Sequence, residues 1–471
     1  LEGFNSTMAA KEEKNFMDYG LGLSYGNQHP LKRITIGYNF SLSYKNSTEY
    51  YETAEFGKFA YVNGDFDEYT LEERDGRNGS FGVNNSFTSG LAGLALKTTN
   101  TKIRLYGMHL QNGESKAGIF DYASNDLGTT VDAYQHAITY GQRSLSNLLI
   151  DGKHNLAAGI WNIEWKFSPT ISRMTEPDIR FARYAYQPSG DLIISPESGY
   201  PERVWRYLDE TDLAGVLHIT RNFELNGNKA KLKFGGAYTN KNRNYSIKGF
   251  QFVPRDINLT GDPNELFAEE NLWPVGGDGR VGITFNDMSD ESKEYNAVVD
   301  YIAGYASMEF NVFDNLKTIL GLRYEKYIQY FTGRDQEDEF IFNNEEVLNN
   351  GNLFPSVNIV YSLREKQNIR FSYSQTIARP SMKELSFITI YDPISGVTFN
   401  GSLAPIVYGT DTIWDGNLQS TNIQNFDLRW ELYETGGQMI SVSGFYKTFK
   451  NPIEYIQSVD QKPTLQARNV G

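Results

Sequence analysis

Residues 34–45 read ITIGYNFSLSYK, which puts Ile34, Ile36, Tyr38, Phe40, Leu42 and Tyr44 on one side of an extended chain and Thr35, Gly37, Asn39, Ser41, Ser43 and Lys45 on the other. Successive side chains of a strand point to opposite faces, so this segment is a strand with one greasy face and one wet face. The alternation returns late in the chain. Val357, Ile359, Tyr361 and Leu363 oppose Asn358, Val360 and Ser362, and Phe426, Leu428, Trp430 and Leu432 oppose Asp427, Arg429 and Glu431. Strands of sandwiches and propellers cluster near about five or six residues, and these are two or three times longer. The economical reading is all-β: a large antiparallel transmembrane β-barrel with lipid outside and water inside.

Turn signals divide the chain into seven hairpins, hence at least fourteen strands. The pairs fall at about 18–27 and 32–45, 86–98 and 101–112, 132–149 and 153–168, 208–225 and 230–248, 295–312 and 315–331, 354–363 and 367–376, and 422–434 and 438–449. Gln28-His29-Pro30-Leu31, Thr99-Asn100, Asp151-Gly152, Asn226-Gly227-Asn228 and Gly436-Gly437 supply tight connections. Long connections are expected near 46–85, 113–131, 188–206, 249–294, 332–352 and 377–421. Short and long links thus alternate, as in barrels with short periplasmic turns and long outward loops.

No run approaches the 18–20 apolar residues of a spanning helix, and a mean hydropathy of −0.49 is compatible with strands that alternate. Forty-four basic against 58 acidic side chains give a charge of −14, so no basic stripe exists to neutralise phosphates and a nucleic-acid partner is excluded. Zero cysteines exclude disulfides, thiolate metal sites and cysteine nucleophiles. Thirty-one Tyr and 29 Phe suit a membrane interface, although large secreted sugar-binding proteins share that bias.

Catalytic and nucleotide-binding motifs are missing: Gly20, Gly22 and Gly26 lie in an alternating strand without GxGxxG spacing, and neither GxxxxGK[ST] nor GxSxG occurs. His29, His109, His136, His154 and His218 fall on different hairpins without metal-ligand spacing. No cofactor is therefore expected. Asp262, Glu265, Glu269, Glu270, Asp278, Asp287 and Asp290 supply oxygen ligands for a structural calcium ion in the 262–290 loop, but a solvated acidic loop is the plainer expectation.

Several motifs resemble the TonB-dependent outer-membrane receptors, in particular the versions common in Bacteroidetes. KLKFGGAYTNKNRNYS at 231–246 and GLRYE at 321–325 are similar to recurring strands of that family. LFPSVNIVYSL at 353–363, followed by NIRFSYSQTIARPSMKEL at 368–385, is the most specific match. DGNLQSTNIQNFDLRWELY at 415–433 resembles the GNPxLxP-type segment, with Gln419-Ser420 where proline is frequent; FYKTFKNPIEYI and ARNVG complete the order.

The resemblance implies a 22-stranded barrel in the bacterial outer membrane, closed around an amino-terminal plug. It implies high-affinity uptake of a scarce nutrient such as a ferric siderophore, vitamin or oligosaccharide, energised by the TonB complex. Plug, TonB box and closing strands are not recognisable here, so the chain is expected to be the barrel portion of a longer protein. A surface lipoprotein is the partner expected of a glycan importer.

A wide lumen roofed by long loops offers a concave site where aromatic rings stack on sugars or aromatic chelates. Candidate substrate contacts are Trp205, Trp273, Tyr391, Tyr408 and Trp414, unless they belong to the aromatic girdle at the membrane boundary. Arg323, Glu325, Arg370, Arg429 and Glu431 are expected to face inward, and Arg379 lies just beyond a strand end. Such charges pair in the lumen and hold a plug, or set a field for a charged ligand. None is expected to be catalytic. The alternative function is an extracellular carbohydrate-binding or adhesion module without a transport role; a passive porin and an enzyme rank below it.

Overall fold

The computed structural model describes residues 3–61, 71–125, 130–274, 281–408, 410–434, 436–458 and 464–470. Its long strands begin with β1 (Tyr19–Pro30), β2 (Thr35–Tyr61), β3 (Leu71–Lys97), β4 (Thr101–Ser124), β5 (Val131–Leu156) and β6 (Trp161–Tyr186). A two-residue β7 (Leu192–Ile193) precedes β8 (Glu202–Leu225), β9 (Asn228–Arg255) and the short β10 (Gly282–Asp287). Then follow β11 (Glu294–Phe313), β12 (Leu316–Arg334), β13 (Ile341–Arg364) and β14 (Gln367–Ala378). The short strands β15 (Thr389–Tyr391), β16 (Thr398–Asn400), β17 (Ile406–Tyr408) and β18 (Asp411–Trp414) lead to β19 (Thr421–Tyr433) and β20 (Met439–Lys450). The described chain ends with β21 (Ile453–Ser458) and β22 (Thr464–Asn469).

One antiparallel path runs β1-β2-β3-β4-β5-β6-β8-β9-β11-β12-β13-β14-β19-β20, with β7 joined to β6 and β10 to β9. Its fourteen strands are the seven expected hairpins. All seven tight turns lie at one end of the sheet, because each follows a strand running the same way. Asn226 and Gly227 (φ 53° and 78°) adopt the left-handed backbone a two-residue hairpin needs, and Gly436 and Gly437 (φ 84° and 82°) are left-handed in the turn between β19 and β20.

The third turn is a correction. Asp151-Gly152 lies inside β5, opposite Lys166 and Trp165, and the chain reverses instead at Ala157, Ala158 and Gly159, all at positive φ. Asp151 is held in the strand by an ion pair to Arg104 at 3.0 Å, and the Trp165 ring lies over the bare Cα of Gly152. A turn dipeptide stays extended where its neighbours occupy it.

Several segments expected to be loops also differ. β2 and β3 run through most of 46–85, β4 and β5 leave 125–130 between them, and β12 and β13 leave 335–340. The ladder continues there through pairs such as Tyr50 with Gly82 and Asn78 with Asp121. Beyond the lipid, large residues such as Tyr50, Phe81 and Phe120 are scattered among polar ones, so greasy alternation stops while strand pairing does not. The long connections that remain, 187–201, 256–293 and 379–420, carry short strands or 3₁₀ turns of their own.

The greasy face forms a belt on the outside. Tyr38 lies opposite Leu94, Leu94 opposite Leu105, Leu105 opposite Ile150 and Ile150 opposite Phe167. Further round, Phe234 meets Ala306, Ala306 meets Leu322, Val357 meets Tyr373, and Phe426 meets Tyr446. Leu94, Leu217, Leu322 and Leu428 are all more than a third exposed although they are large and apolar. A soluble sheet would bury this face; here its solvent is hydrocarbon.

Packed apolar clusters occur where loops turn inward at the end away from the tight turns. One joins Tyr245, Tyr295, Ala297, Val299 and Phe331 of the wall to Met382, Leu385, Ile388, Leu403, Trp414 and Leu418 of the 379–420 connection. A second seats Met8 against Ala182, Tyr184, Phe252, Leu266 and Ile283. The third seats Ile394 against Phe120, Ala137 and Phe181. β15, β16, β22 and β21 form a small sheet that ties the carboxy-terminal segment to this roof.

Candidate functional site

The 379–420 connection leaves β14 and reaches across the concave wall to strands β3 to β8. Its tip, Tyr391–Val397, is a hairpin closed by its own bonds: Asp392 N donates to Val397 O at 2.9 Å and Gly396 N to Asp392 O at 2.8 Å. Four strands receive the tip. Arg77 of β3 and Arg183 of β6 both donate to Tyr391 Oη, the former at 3.4 Å, and Arg206 of β8 donates to its carbonyl. Gln135 of β5 donates to Pro393 O at 2.7 Å.

Charge in this region is mostly balanced. Arg77 pairs with Asp75, whose other oxygen accepts from Tyr122 Oη at 3.1 Å. Arg206 pairs with Glu176 at 3.2 Å. The guanidinium of Arg183 instead donates to neutral acceptors: Gln135 Oε1 at 2.6 Å, Ser198 O at 3.3 Å and Tyr391 Oη, with its carbon 4.4 Å from the centre of the Tyr122 ring. Nε of the buried Arg77 and Nε of Arg206 have no hydrogen-bond partner among the described residues. Beneath the tip lies a cavity of about 380 Å³, lined in part by Phe81, Tyr140, Arg143, Glu176 and Arg206.

A neighbouring strap, residues 4–10, is held to the same wall. Asn264 Oδ1 accepts from Met8 N and Ala9 N at 2.8 and 3.1 Å, and His136 Nδ1 accepts from Ala10 N at 3.0 Å. Burial pushes the His136 imidazole below its ordinary pKa, against the opposing pull of Asp262. Asp178 accepts from both Arg180 and Arg203, and Arg203 also donates to Asn5 O. Burial pushes the Asp178 carboxyl up, and the two guanidiniums outweigh that and hold it below the usual carboxylate range.

The sequence-derived candidates fall in different places. Trp205 is half-buried on β8 between Phe4 and Phe250, at 6.1 and 5.8 Å between ring centres. Trp273 is 46% exposed on the 256–293 connection. Trp414 is buried in the roof, its indole N–H donating to Ser402 O at 2.8 Å. Tyr391 is the residue pinned by arginines. The backbone of Tyr408 belongs to β17, and its side chain lies outside the described residues. The five are therefore not one cluster.

The inward charges do assemble, in two groups. Glu325 accepts from Arg323 at 2.6 Å and Arg379 at 2.8 Å, and Tyr301 Oη donates to it at 2.8 Å. Glu431 pairs with Arg370 at 2.7 Å and Arg429 at 2.9 Å. In the acidic connection, Asp262, Asp287 and Asp290 cap the backbone N–H groups of Asn264, Ser289 and Ser292, and Glu265 accepts from Thr260 N and Gly261 N. Asp278 lies outside the described residues. Among the described residues, the carboxylates that converge are Asp335, Glu337 and Glu339, elsewhere.

Arg77, Arg183, Arg203 and Arg206 were not among the candidates. Three of them fall in or beside segments expected to be loops, where inward and outward positions are not distinguished. The usable signal is the period-two pattern of RFARYAY at 180–186, which sets Phe181 and Arg183 on one face.

A wall greasy outside, charged inside and roofed by its own loops defines a large outer-membrane β-barrel. Residues 5–471 match the model of the TonB dependent receptor-like, beta-barrel family, and the chain belongs to that family, whose members reside in the outer membrane of Gram-negative bacteria. No curated protein matches the chain in sequence. Among solved structures, it is similar to a mutant of the ferric enterobactin receptor of Pseudomonas aeruginosa in complex with enterobactin: 13% identity, 96% of this chain and 56% of that one, TM-score 0.51. It is similar also to the ferric yersiniabactin uptake receptor of Yersinia pestis: 10% identity, 95% and 55% coverage, TM-score 0.47. The chain thus spans little more than half the length of these receptors.

Proposed function

We propose that this chain forms the nutrient-binding wall of a TonB-dependent importer, with a ferric chelate as its cargo. The supporting observation is the arginine-rich inner wall under the 391–397 tip, where guanidiniums and aromatic rings offer an anionic, aromatic metal chelate both charge and stacking partners. The Glu431 group sits near the tight-turn end and the Glu325 group, joined by Arg379, lies beneath the roof; both would hold a plug through ion pairs. Coupling to the TonB complex would pass through that plug. A vitamin or an oligosaccharide is the second reading, favoured by the exposed ring of Trp273 as a stacking surface; a surface lipoprotein would then be the natural partner.

The test is binding by the parent protein, purified from outer membranes, to a panel of ferric chelates, cobalamin and oligosaccharides. Tight binding of a ferric chelate that weakens at high salt is expected. Tight binding of a glycan or cobalamin alone would overturn the cargo, and a protein folded and soluble without detergent would overturn the importer.

A further inference from the structure

We propose that Arg77, Arg183 and Phe181 form a subsite for an aryl hydroxyl group, filled here by the phenol of Tyr391, so that the 391–397 tip is an internal competitor a catechol-bearing ligand must displace. This rests on the ferric-chelate reading above and adds the part of the ligand that is recognised and the chain's own occupant.

The geometry matches the ligand better than it matches the loop. Two guanidiniums donate to one phenolic oxygen, and Phe181 meets the Tyr391 ring edge-on with centres 5.5 Å apart. A neutral phenol is a modest acceptor for two cations. A catecholate oxygen would give Arg183 a charged acceptor in direct contact, where its hydrogen bonds among the described residues go to Gln135, Ser198 and Tyr391 and the Asp75 carboxylate acts on it only from a distance. Arg77 Nε, buried beside the tip and unpartnered among the described residues, points to the same deficit.

The tip is also built to move as a unit. Its turn is closed by backbone bonds and by Asp392, which accepts from Ile394 N at 3.1 Å and Ser395 Oγ at 2.6 Å, so its shape does not depend on the wall. Seating also requires a bare Cα at one position. Gly396 has φ 72°, and a Cβ there would overlap the guanidinium of Arg77, itself held by Asp75. Alanine at this position is strained twice, once by its backbone and once by that overlap. Withdrawal of the tip would join the subsite to the 380 Å³ cavity below it.

The experiment uses the full parent protein in detergent, with ferric tris-2,3-dihydroxybenzoate as the catecholate and a ferric tris-hydroxamate as the control chelate. Protease access to 391–397 reports release of the tip, and heat-modifiable gel migration reports a folded barrel. Gly396→Ala should tighten catecholate binding about tenfold by releasing the competitor, and Tyr391→Phe should tighten it by a smaller factor by removing only the phenol's hold, while hydroxamate binding stays unchanged. Arg183→Gln should weaken catecholate binding selectively. Unchanged catecholate affinity in a folded Gly396→Ala protein with a released tip would overturn the subsite. Tight cobalamin or glycan binding unaffected by these variants would overturn the subsite and the chelate cargo and leave the importer standing; no binding across the panel would overturn the importer reading too.

Discussion

The lower and upper parts of the same strands are stabilised in opposite ways. Around the belt, large side chains such as Leu217 and Leu428 point away from the protein, and the inner face carries small polar pairs such as Ser43 with Ser89 at 2.6 Å. No core lies between the faces, so stability there comes from the ladder and from lipid. Above the belt the outward residues lose their apolar character, and Leu385, Ile388, Leu418 and Met8 are buried on the inside. That part is an ordinary packed protein standing on a membrane wall. Changes in lipid should be felt below, and changes in packing or ion pairing above.

The largest effect is expected from Asp178→Asn. Asparagine tolerates the positive φ of 64° at this position, so the backbone is kept and the charge alone is lost. Arg203, whose side chain is 1% exposed, is then left without its carboxylate, at a cost of about 3–5 kcal/mol. Hydrogen exchange should show residues 4–10 released with the belt unaffected; loss of protection across the belt as well would show that the two parts are not separate.

Leu217→Arg should come next, destabilising the protein in lipid vesicles by about 2–4 kcal/mol in urea titrations. Arginine at Ala214, which faces the lumen three residues earlier on β8, should cost far less. Equal losses would mean that the face assigned to lipid is wrong.

A smaller effect concerns acid. His136 accepts a bond as the neutral ring and its folded pKa lies below the ordinary value of about 6.5, so the unfolded state binds the proton more readily. The contribution to strap stability is complete above that value and falls as pH drops through it toward the folded pKa. Exchange at the Ala10 amide, corrected for its intrinsic rate, should rise between pH 7.5 and 5.5, and His136→Gln should remove that dependence.

The smallest change should be Asp209→Asn. Its ion pair with Arg173 at 2.9 Å joins side chains 63% and 67% exposed, so less than about 1 kcal/mol is expected in the same urea assay. A larger loss would place this stretch of the wall in a drier environment than the rest of the rim.

Legibility in the sequence followed the same division. Within the belt, greasy alternation named strands and faces, and the inward orientation of Arg323, Glu325, Arg370, Arg429 and Glu431 could be counted off neighbours. In the rim the pattern failed for a physical reason: the outward face meets water in place of lipid and the inward face is packed by distant loops, so apolar residues do not fall on alternate positions and real strands at 46–61 and 71–85 read as loops. Arg77 was lost with them. Asp151-Gly152 misled in the other direction, because a local turn preference is overruled when Arg104 and Trp165 occupy both faces of the dipeptide.

Sequence alone determined the hairpin order and the lipid-facing belt, because each depends on residues one or two apart and on the solvent they face. The tertiary structure decided which inward groups meet. Tyr391 is 208 positions from Arg183 and 314 from Arg77, and no period in the chain relates them. They come together because a curled wall brings distant strands to one side of a hollow, and a loop from the far side is long enough to cross it.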